Sequence, residues 1–257
     1  MQKTGKLKGE SPIVSIIIAT YNSGKTLKET LKSVQSQVFQ DWECIIVDGD
    51  SNDNTISIIE EIEHNDSRFR HISEPDRGVY DAFNKGWKNA RGEWIYYLGS
   101  SDKVLKNGLY DLIKIDHPDA AIVSGHVYGH KIDGTLKPGY SKGFRGGHQG
   151  KITRKSVIEK FGGFDERYKI VADEDLIRKI ENSGLKIDNV NVFVAIFEVD
   201  GLSQSLSNAF VKYKELYNIF KKYPISIKYP LLKVIGFSLK SVGSIIYRKM
   251  RRFVMIS

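Results

Sequence analysis

The fold is decided by residues 71–102, which read HISEPDRGVYDAFNKGWKNARGEWIYYLGSSD. A short apolar strand at His71–Ser73 runs into a Glu-Pro-Asp-Arg-Gly turn, and a helix is predicted over Val79–Ala90. This helix carries large apolar side chains three and four residues apart on one face: Tyr80, Phe83 and Trp87. Gly92 is expected to end the helix. Trp94–Leu98 then has the unbroken apolar composition of a strand that is buried on both faces.

The polar ending of this buried strand predicts a ligand site. Trp94–Leu98 is followed by Gly99, Ser100, Ser101 and Asp102, which together are small, flexible and acidic. Open α/β sheets bind their ligands beyond the carboxyl ends of parallel strands. We therefore expect a site at this edge of the sheet.

Two earlier segments repeat the pattern of strand, polar loop and helix. Ile13–Thr20 is a β-branched run followed by Tyr-Asn-Ser-Gly, in which Ser23 is expected to cap a helix. Cys44–Asp48 is followed by Gly-Asp-Ser-Asn-Asp and by a second helix. The apolar positions of the two helices are Leu27, Leu31 and Val34, then Ile56, Ile59 and Ile62. The alternation predicts an α/β fold, with a mostly parallel sheet flanked by helices and three strand ends along one edge.

Length and composition predict one main domain with an appendage. The chain has 257 residues, 40% of them hydrophobic, which is enough for a core of α/β size. We expect a flexible N-terminal tail (1–11), a main domain (12–207) and a basic helical segment (208–257). The single cysteine, Cys44, excludes an internal disulfide and favours a reducing cytoplasm. The start of the chain lacks the apolar core of a signal peptide, and no run of about 18 apolar residues predicts a membrane span.

The positive charge is concentrated at the C-terminal end. The formal net charge is +8, and beyond Asn208 many lysines and arginines face a single acid, Glu215. This bias suits an anionic partner, either nucleic acid or an anionic membrane face. A helix is predicted over Tyr213–Tyr223, and Tyr229–Ile256 mixes apolar with basic residues. That last stretch could pack on the main domain, but we favour an interfacial segment at a membrane.

The loop after the first strand argues against two common nucleotide-binding motifs. It contains no G-x-G-x-x-G, so binding of NAD or FAD is disfavoured. Gly24-Lys25-Thr26 resembles the end of a phosphate-binding P-loop, but the position five residues before Gly24 is Ala19 instead of glycine.

Taken together, five motifs resemble glycosyltransferase family 2, whose members have the GT-A nucleotide-sugar fold. In chain order they are IVSIIIATYN, IIVDGDSNDNT, SEPDRGVYDAFNKGWKNARGEWIYYLGSSD, GGHQG and GGFDERYKIVADEDLIRKI. The resemblance covers about Pro12 to Ser203. It implies a nucleotide-binding half (12–103) and an acceptor-binding half (104–207).

The resemblance is strongest to bacterial enzymes that build exopolysaccharide, capsule or O-antigen units. It implies an inverting transfer of one sugar from a nucleotide diphosphate sugar, expected to be a UDP-sugar. The implied acceptor is the hydroxyl of a saccharide or lipid-linked saccharide. A divalent cation, Mn²⁺ or Mg²⁺, is the expected cofactor. The expected location is cytoplasmic, peripheral at the cytoplasmic face of the membrane.

Asp102 is the expected metal ligand. A hard divalent cation held by carboxylate oxygen can bridge a diphosphate and neutralise a leaving group. In the resembled family this position is the second acid of a motif that usually reads S-D-D or D-D-D. Here Ser101 replaces the preceding acid, and with Ser100 it is expected to contact the nucleotide sugar. A solvated turn aspartate is the alternative reading of Asp102.

The ends of the first two strands supply the expected nucleotide contacts, which are Thr20, Tyr21, Asn22, and Asp48 or Asp50. A tyrosine ring at a strand end can stack on a nucleobase, whereas a purely structural tyrosine would be partly buried. A carboxylate can accept the imide N–H of uracil, and either Asp48 or Asp50 could do so.

The loop and first turns of the central helix add three expected residues of the nucleotide-sugar site. The resemblance places Asp76 near the ribose and Lys85 near the phosphates, and Asp81 is included with them. Because Asp81 and Lys85 are four residues apart, an ion pair within the helix is the alternative.

The catalytic base is expected in the motif ADEDL. Glycosyl transfer needs a group that takes the proton of the acceptor hydroxyl. The resemblance assigns this role to Asp173, with Asp175 as the second choice, although acids at a helix start are also favoured by the helix dipole. His148 and Gln149, in a glycine-rich loop, resemble an element that lies near the donor and acceptor sugars.

Two other classes of protein compete with this interpretation. A nucleic-acid-binding protein would use the basic segment, but the acidic strand ends of the main domain argue against that partner. A catalytically idle protein that only binds sugar nucleotides is made conceivable by Ser101.

Overall fold

The first half of the chain alternates strands and helices. We describe it from a computed structural model, in which residues 11–130, 136–138, 147–198 and 206–223 are described. The alternating elements are β1 (Val14–Thr20), α1 (Leu27–Gln35), β2 (Trp42–Asp48), α2 (Thr55–Asn65), β3 (Phe69–Ser73), α3 (Val79–Asn89) and β4 (Trp94–Gly99). The expected order of strands and helices is therefore confirmed.

The second half is less regular. Its elements are β5 (Lys103–Val104), α4 (Gly108–Ile113), β6 (Ala120–His130), β7 (Leu136–Pro138), a 3₁₀ turn (His148–Gly150), β8 (Lys151–Arg154), α5 (Lys155–Phe161), α6 (Ala172–Asn182), β9 (Lys186–Glu198) and α7 (Leu206–Lys222). The chain forms two compact units, residues 1–199 and 200–257. Only α7 and Tyr223 of the second unit are described, and α7 overlaps the helix predicted over Tyr213–Tyr223. The predicted segment Tyr229–Ile256 lies outside the described residues, as do residues 1–10 of the predicted N-terminal tail.

One sheet runs through the first unit in the order β3-β2-β1-β4-β8-β6-β9-β5, with β7 paired to β6. The first four strands in this order are parallel. β8 is antiparallel to β4 and to β6, whereas β9 is parallel to β6 and antiparallel to β5. The predicted parallel sheet is thus confirmed for its first half, and the second half is mixed.

The strand order places a reversal between β1 and β4, the position at which α/β sheets form a crevice. From β1 the chain moves outward to β2 and β3, and it returns to the other side of β1 with β4. Loops at such a reversal diverge and leave a cleft beyond the carboxyl ends of the strands. In the sheet register Thr20 pairs with Asp48 and Ala19 pairs with Gly99, so the three predicted strand ends meet at this edge.

The helix α3 packs directly on β1. Its buried face carries Tyr80, Phe83 and Trp87, as the spacing predicts. Gly86 faces the strand so closely that an added Cβ would overlap the Cγ2 atom of Ile17. Ile17 is completely buried, so the strand has no room to yield.

Two local expectations are wrong, and each has a physical reason. The helix α3 ends at Asn89 through the extended Ala90, before Gly92. Gly92 instead lets its backbone approach β1, because a Cβ there would lie 2.6 Å from Ser15 N. Ser23 makes no capping bond from its side chain, since its hydroxyl lies 2.8 Å from the Ser100 hydroxyl.

Replacement of Gly86 by alanine tests the close packing of α3. In an ordinary helix Gly→Ala stabilises by roughly 0.5–1 kcal/mol. Here the Cβ overlaps Ile17, so we expect a loss of about 1–3 kcal/mol in the free energy of unfolding. Chemical denaturation measures it, with the exposed helical Ser57→Ala as control. A stabilised Gly86→Ala variant would contradict the packing.

Candidate active site

The loops after β1 and β4 are joined by hydroxyl groups at the crevice. The hydroxyls of Ser23 and Ser100 lie 2.8 Å apart, and the Thr30 hydroxyl donates to Ser100 O at 3.0 Å. Ser101 is half-buried and follows at the same edge. Ser100 is therefore held by Ser23 of the first loop and by Thr30 of α1, and Ser101 follows it at the same edge of the sheet.

Asp48 is completely buried at the end of β2. Its carboxylate accepts hydrogen bonds from Ser51 N at 2.9 Å, the Ser51 hydroxyl at 2.5 Å and the Ser73 hydroxyl at 2.9 Å. These bonds shape the loop after β2 and tie it to β3. Asp50, in contrast, is exposed and has a positive φ of 66°.

The three residues predicted at the end of β1 differ in accessibility. The ring of Tyr21 is 59% exposed, as expected of a stacking surface and not of a structural tyrosine. The Thr20 hydroxyl is buried and has no hydrogen-bond partner among the described residues. Asn22 has a φ of 47°, and its side-chain oxygen accepts a bond from Asn52 N at 2.9 Å.

Asp76 lies beside the end of β2. Its carboxylate covers Gly49, where an added Cβ would lie 2.6 Å from Asp76 Oδ2. Its other oxygen accepts a bond from Gly78 N at 2.8 Å. The structure thus brings Asp76 to the edge that also carries Asp48 and Asp50.

Asp81 and Lys85 hold the turn that precedes α3. Asp81 Oδ2 accepts a bond from Arg77 N at 2.9 Å. Burial opposes its ionisation, but the Arg77 backbone N–H and guanidinium outweigh burial and lower the pKa of Asp81. Lys85 Nζ donates to Pro75 O at 2.8 Å and lies 3.0 Å from Glu74 and 3.6 Å from Asp81. The predicted ion pair within the helix is present, and a phosphate contact by Lys85 stays a prediction.

Asp173 is a partly exposed carboxylate of the ADEDL motif, and several hydrogen-bond donors lie around it. Its side chain is 24% exposed. The Tyr80 hydroxyl lies 3.0 Å from Asp173 Oδ1 and 2.8 Å from Ile170 O, so these two acceptors share its proton. Glu174 N donates to Asp173 Oδ1 at 3.0 Å, and His148 Nδ1 lies 3.5 Å from Oδ2.

These contacts keep Asp173 ionised. Burial alone would raise the pKa of its carboxyl group. The hydrogen bond and charge of His148 oppose burial, together with the Tyr80 hydroxyl and the Lys151 ammonium, and the pKa of Asp173 is lowered. The carboxylate is therefore negatively charged at neutral pH, as a general base must be.

Asp175, the second choice for the base, occupies a different environment. It is completely buried in α6, and its Oδ2 lies 3.0 Å from Lys179 Nζ. A proton acceptor must reach the substrate hydroxyl directly or through one water molecule. The partly exposed carboxylate of Asp173 can reach a substrate hydroxyl in this way, whereas the buried carboxylate of Asp175 cannot.

The 3₁₀ turn His148–Gly150 connects the end of β4 with α6. The amide of Gln149 donates to Asp102 Oδ2 at 2.7 Å, while the neighbouring His148 contacts Asp173. His148 also packs edge-on against Phe83, with ring centroids 5.4 Å apart. Its Nε2 atom is buried without a hydrogen-bond partner among the described residues.

Asp102, the expected metal ligand, is held by hydrogen bonds within the protein. Its side chain is buried, and its two oxygens accept bonds from Gly99 N, the Gln149 amide and Glu198 N. Mg²⁺ is usually bound by one or two carboxylates together with substrate phosphates and water. Within the described ranges, no group of three or more histidine, cysteine or acidic side chains could hold a metal ion. Metal binding by Asp102 stays a prediction, because a cation held by one carboxylate would also need oxygens from the diphosphate.

Tyr80 is a site residue that the sequence did not reveal. The helical spacing placed it in the apolar face of α3, and its ring does pack there, 5.3 Å from Phe164. Its hydroxyl reaches Asp173, which is 93 residues away in the chain. A single sequence carries no signal for such a contact, because helical periodicity reports the buried face and not the end of a side chain.

The fold is that of solved GT-A glycosyltransferases. A model of "Glycosyl transferase family 2" matches residues 15–176, and the chain belongs to this family. The resemblance inferred from the motifs is thereby confirmed.

Particular relatives come from bacteria. The chain is 32% identical over 219 residues to a PGL/p-HBAD biosynthesis glycosyltransferase of Mycobacterium tuberculosis, covering 76% of this chain and 81% of the relative. It is 30% identical over 155 residues to the GalNAc(5)-diNAcBac-PP-undecaprenol beta-1,3-glucosyltransferase of Campylobacter jejuni, covering 59% of this chain and 50% of that relative.

Solved structures share the fold at low sequence identity. S. aureus TarS 1-349 in complex with UDP-GlcNAc matches with a TM-score of 0.62 at 18% identity, covering 89% of this chain and 81% of that TarS fragment. The mannosyltransferase PcManGT from Pyrobaculum calidifontis, in complex with GDP-Man and Mn²⁺, matches with a TM-score of 0.66 at 18% identity, covering 92% and 74%.

Replacement of Tyr80 by phenylalanine is expected to raise the pKa of Asp173. The hydroxyl stabilises the charged form of the carboxyl group, so its removal favours the protonated form. Carboxyl ¹³C NMR titration measures this pKa, with Asp173→Asn identifying the signal and the exposed Tyr110→Phe as control. Folding lowers the pKa of the Asp173 carboxyl group, so the ionised group stabilises the folded protein when the pH is above the pKa of the unfolded state. This stabilisation is lost as the pH falls through the pKa of the folded state. An unchanged or lower pKa in Tyr80→Phe would contradict the contact.

Proposed function

We propose that this protein transfers one sugar from a nucleotide diphosphate sugar to an acceptor hydroxyl, with inversion at the anomeric carbon. One observation carries the proposal. The ionised, partly exposed Asp173 is connected through adjacent residues, His148 and Gln149, to Asp102 at the end of β4. Contacts of one short turn therefore link the candidate base to the loop after β4.

The donor is proposed to lie across the carboxyl ends of β1, β2 and β4. Tyr21 offers an exposed ring to a nucleobase. The preceding residue, Thr20, has a hydroxyl without a hydrogen-bond partner among the described residues. Because the hydrogen bonds of Asp48 are used within its loop, Asp50 and Asp76 are the better candidates for contacts to base and ribose. UDP-sugars are the first choice of donor, since TarS was solved with UDP-GlcNAc, and GDP-sugars are the second.

Asp173 is proposed as the general base of a single displacement. Its carboxylate takes the proton of the acceptor hydroxyl while the hydroxyl oxygen attacks the anomeric carbon of the donor sugar. The bond between that carbon and the diphosphate oxygen breaks, and the nucleoside diphosphate leaves with the electron pair. One displacement from the opposite face inverts the anomeric configuration. Proton transfer of this kind contributes about 10²–10⁴ in rate.

A requirement for Mn²⁺ or Mg²⁺ stays a prediction. PcManGT was solved with Mn²⁺, which supports the expectation for a protein of this fold. When bound, a divalent cation neutralises charge on the diphosphate. No step of the reaction is assigned to the metal.

The acceptor is proposed to be a lipid-linked saccharide at the cytoplasmic face of a membrane. The Campylobacter jejuni relative is named for an undecaprenol-linked substrate. One face of α7 carries four exposed residues at helical spacing, namely Phe210, Lys214, Tyr217 and Lys221. Exposed aromatic rings and lysines on one helical face suit the interface of an anionic membrane. Among the described residues, no helix is long and apolar enough to cross a membrane.

A donor screen followed by a transfer assay tests the function. We expect one of UDP-, GDP-, CDP- or dTDP-sugars to raise the Tm, and Tyr21→Ala to weaken its binding by about 1–3 kcal/mol, the range of base stacking. Each sugar is tested with Mn²⁺, Mg²⁺ and EDTA. Transfer to lipid-linked saccharides is followed by product analysis.

The variant Asp173→Asn separates binding from chemistry. We expect it to bind the donor as the wild type does and to transfer sugar about 10²-fold or more slowly. Turnover at the wild-type rate would remove Asp173 as the base. Donor binding without any transfer by the wild type would identify an idle binding protein, and binding of single-stranded DNA alone would favour the nucleic-acid alternative.

The membrane proposal predicts co-sedimentation with vesicles that contain phosphatidylglycerol. Each lysine near an anionic surface contributes about 1 kcal/mol, and the exposed rings add apolar contact. The double variant Phe210→Ser/Tyr217→Ser should remain in the supernatant more than the wild type, with Tyr110→Ser as an exposed aromatic control. If the wild type and the double variant sediment equally with the vesicles, α7 does not face the membrane.

A further inference from the structure

We propose that Asp102 is a positioning residue, which anchors the 3₁₀ turn and thereby sets His148 against Asp173, and that it does not bind a divalent cation. The proposal rests on the proposed function only for the role of Asp173 in transfer. Its structural part can be tested in the absence of any substrate.

The bonds of Asp102 hold three separate parts of the fold together. Oδ2 accepts bonds from Gly99 N at 3.1 Å and from the Gln149 amide at 2.7 Å, and Oδ1 accepts a bond from Glu198 N at 3.1 Å. These groups belong to the end of β4, the 3₁₀ turn and the end of β9. Hydrogen bonds to a carboxylate are about twice as strong as those between neutral groups, so Asp102 holds these three segments firmly together.

The 3₁₀ turn is built to receive this bond. Gln149 is buried, and its backbone carbonyl accepts a bond from the Tyr96 hydroxyl at 2.8 Å. Gly147 lies directly under the Gln149 amide, where an added Cβ would overlap Oε1. Lys151 Nζ donates to Gly147 O at 3.1 Å. The amide of Gln149 therefore has a defined orientation, with its N–H toward Asp102.

The opposite side of the same turn faces the candidate base. His148 directly precedes Gln149, and its Nδ1 lies 3.5 Å from Asp173 Oδ2. Phe83 contacts the edge of the His148 ring. If the hydrogen bond between Gln149 and Asp102 is lost, the turn is no longer anchored next to His148. The His148 ring, whose Nδ1 lies near Asp173 Oδ2, then shifts.

Cation binding would compete with this arrangement. A metal at Oδ2 would have to displace the N–H groups of Gly99 and Gln149, and a metal at Oδ1 would have to share that oxygen with Glu198 N. Ser101 replaces the neighbouring acid with a hydroxyl that adds no charge. With Asp102 buried, the charge of one carboxylate is already compensated by three N–H donors.

The test compares Asp102→Asn, Gln149→Leu and the double variant. Asparagine places an NH₂ group against N–H donors, and leucine keeps the approximate shape of glutamine without its amide. We expect each single variant to lower the Tm by about 3 °C or more. The double variant should fall no further than the worse single one, because both changes break the same bond. The Mn²⁺ concentration for half-maximal UDP binding should change less than twofold.

Activity supplies the second readout. The two single variants should reduce kcat by about tenfold, while the KM for the donor stays within twofold of the wild-type value. Both should shift the acid limb of the profile of kcat against pH to higher pH. Asp188→Asn is the control, because this paired carboxylate lies ten residues before Glu198 on the same strand, far from the site. It should lower the Tm without moving the pH profile.

Two results would overturn the proposal. One is a tenfold or larger rise in the Mn²⁺ requirement of Asp102→Asn while Gln149→Leu behaves as the wild type, which would restore Asp102 as a metal ligand. The other is additive losses of Tm in the double variant. If the wild type transfers no sugar at all, the proposed function fails, whereas the Tm comparison still decides the structural role of Asp102.

Discussion

Buried negative charge at the ends of two strands is the constraint on which the rest of the site depends. Asp48 and Asp102 both lie inside the protein, where an ionised carboxylate is stable only when hydrogen-bond donors surround it. The donors come from neighbouring loops and strands, so each carboxylate draws several chain segments together. The edge of the sheet is therefore shaped by the need to compensate two charges, and the exposed groups are positioned as a result.

The division between buried and exposed acids organises the chemistry. Asp48 and Asp102 shape the structure, whereas Asp50, Asp76 and Asp173 retain solvent-accessible surface with which to meet a ligand. Acids of the same type thus occupy different environments. The environment of each carboxylate, and not its place in a motif, distinguishes them.

The sequence predicts the elements better than it predicts the directions of polar side chains. Periods of two and of three to four residues depend on neighbours in the chain, so β1, β2, β4 and α3 were predicted close to their observed bounds. The roles of Ser23 and Gly92 were missed because each depends on a contact across the sheet. The partners of Asp102 are equally remote, 47 residues away at Gln149 and 96 at Glu198. Strand-end acids could be found by reading the chain, but their accessibility could not.

The contact of Gly86 with Ile17 also limits how the protein can move. Helices that slide during domain closure need a contact surface with alternative arrangements, and a glycine lodged against a buried side chain offers none. The helix α3 carries Tyr80, so the support of Asp173 on that side is fixed to the rigid centre of the sheet. Any rearrangement that admits a donor or releases a product must consequently arise in other segments, while α3 serves as the stationary reference.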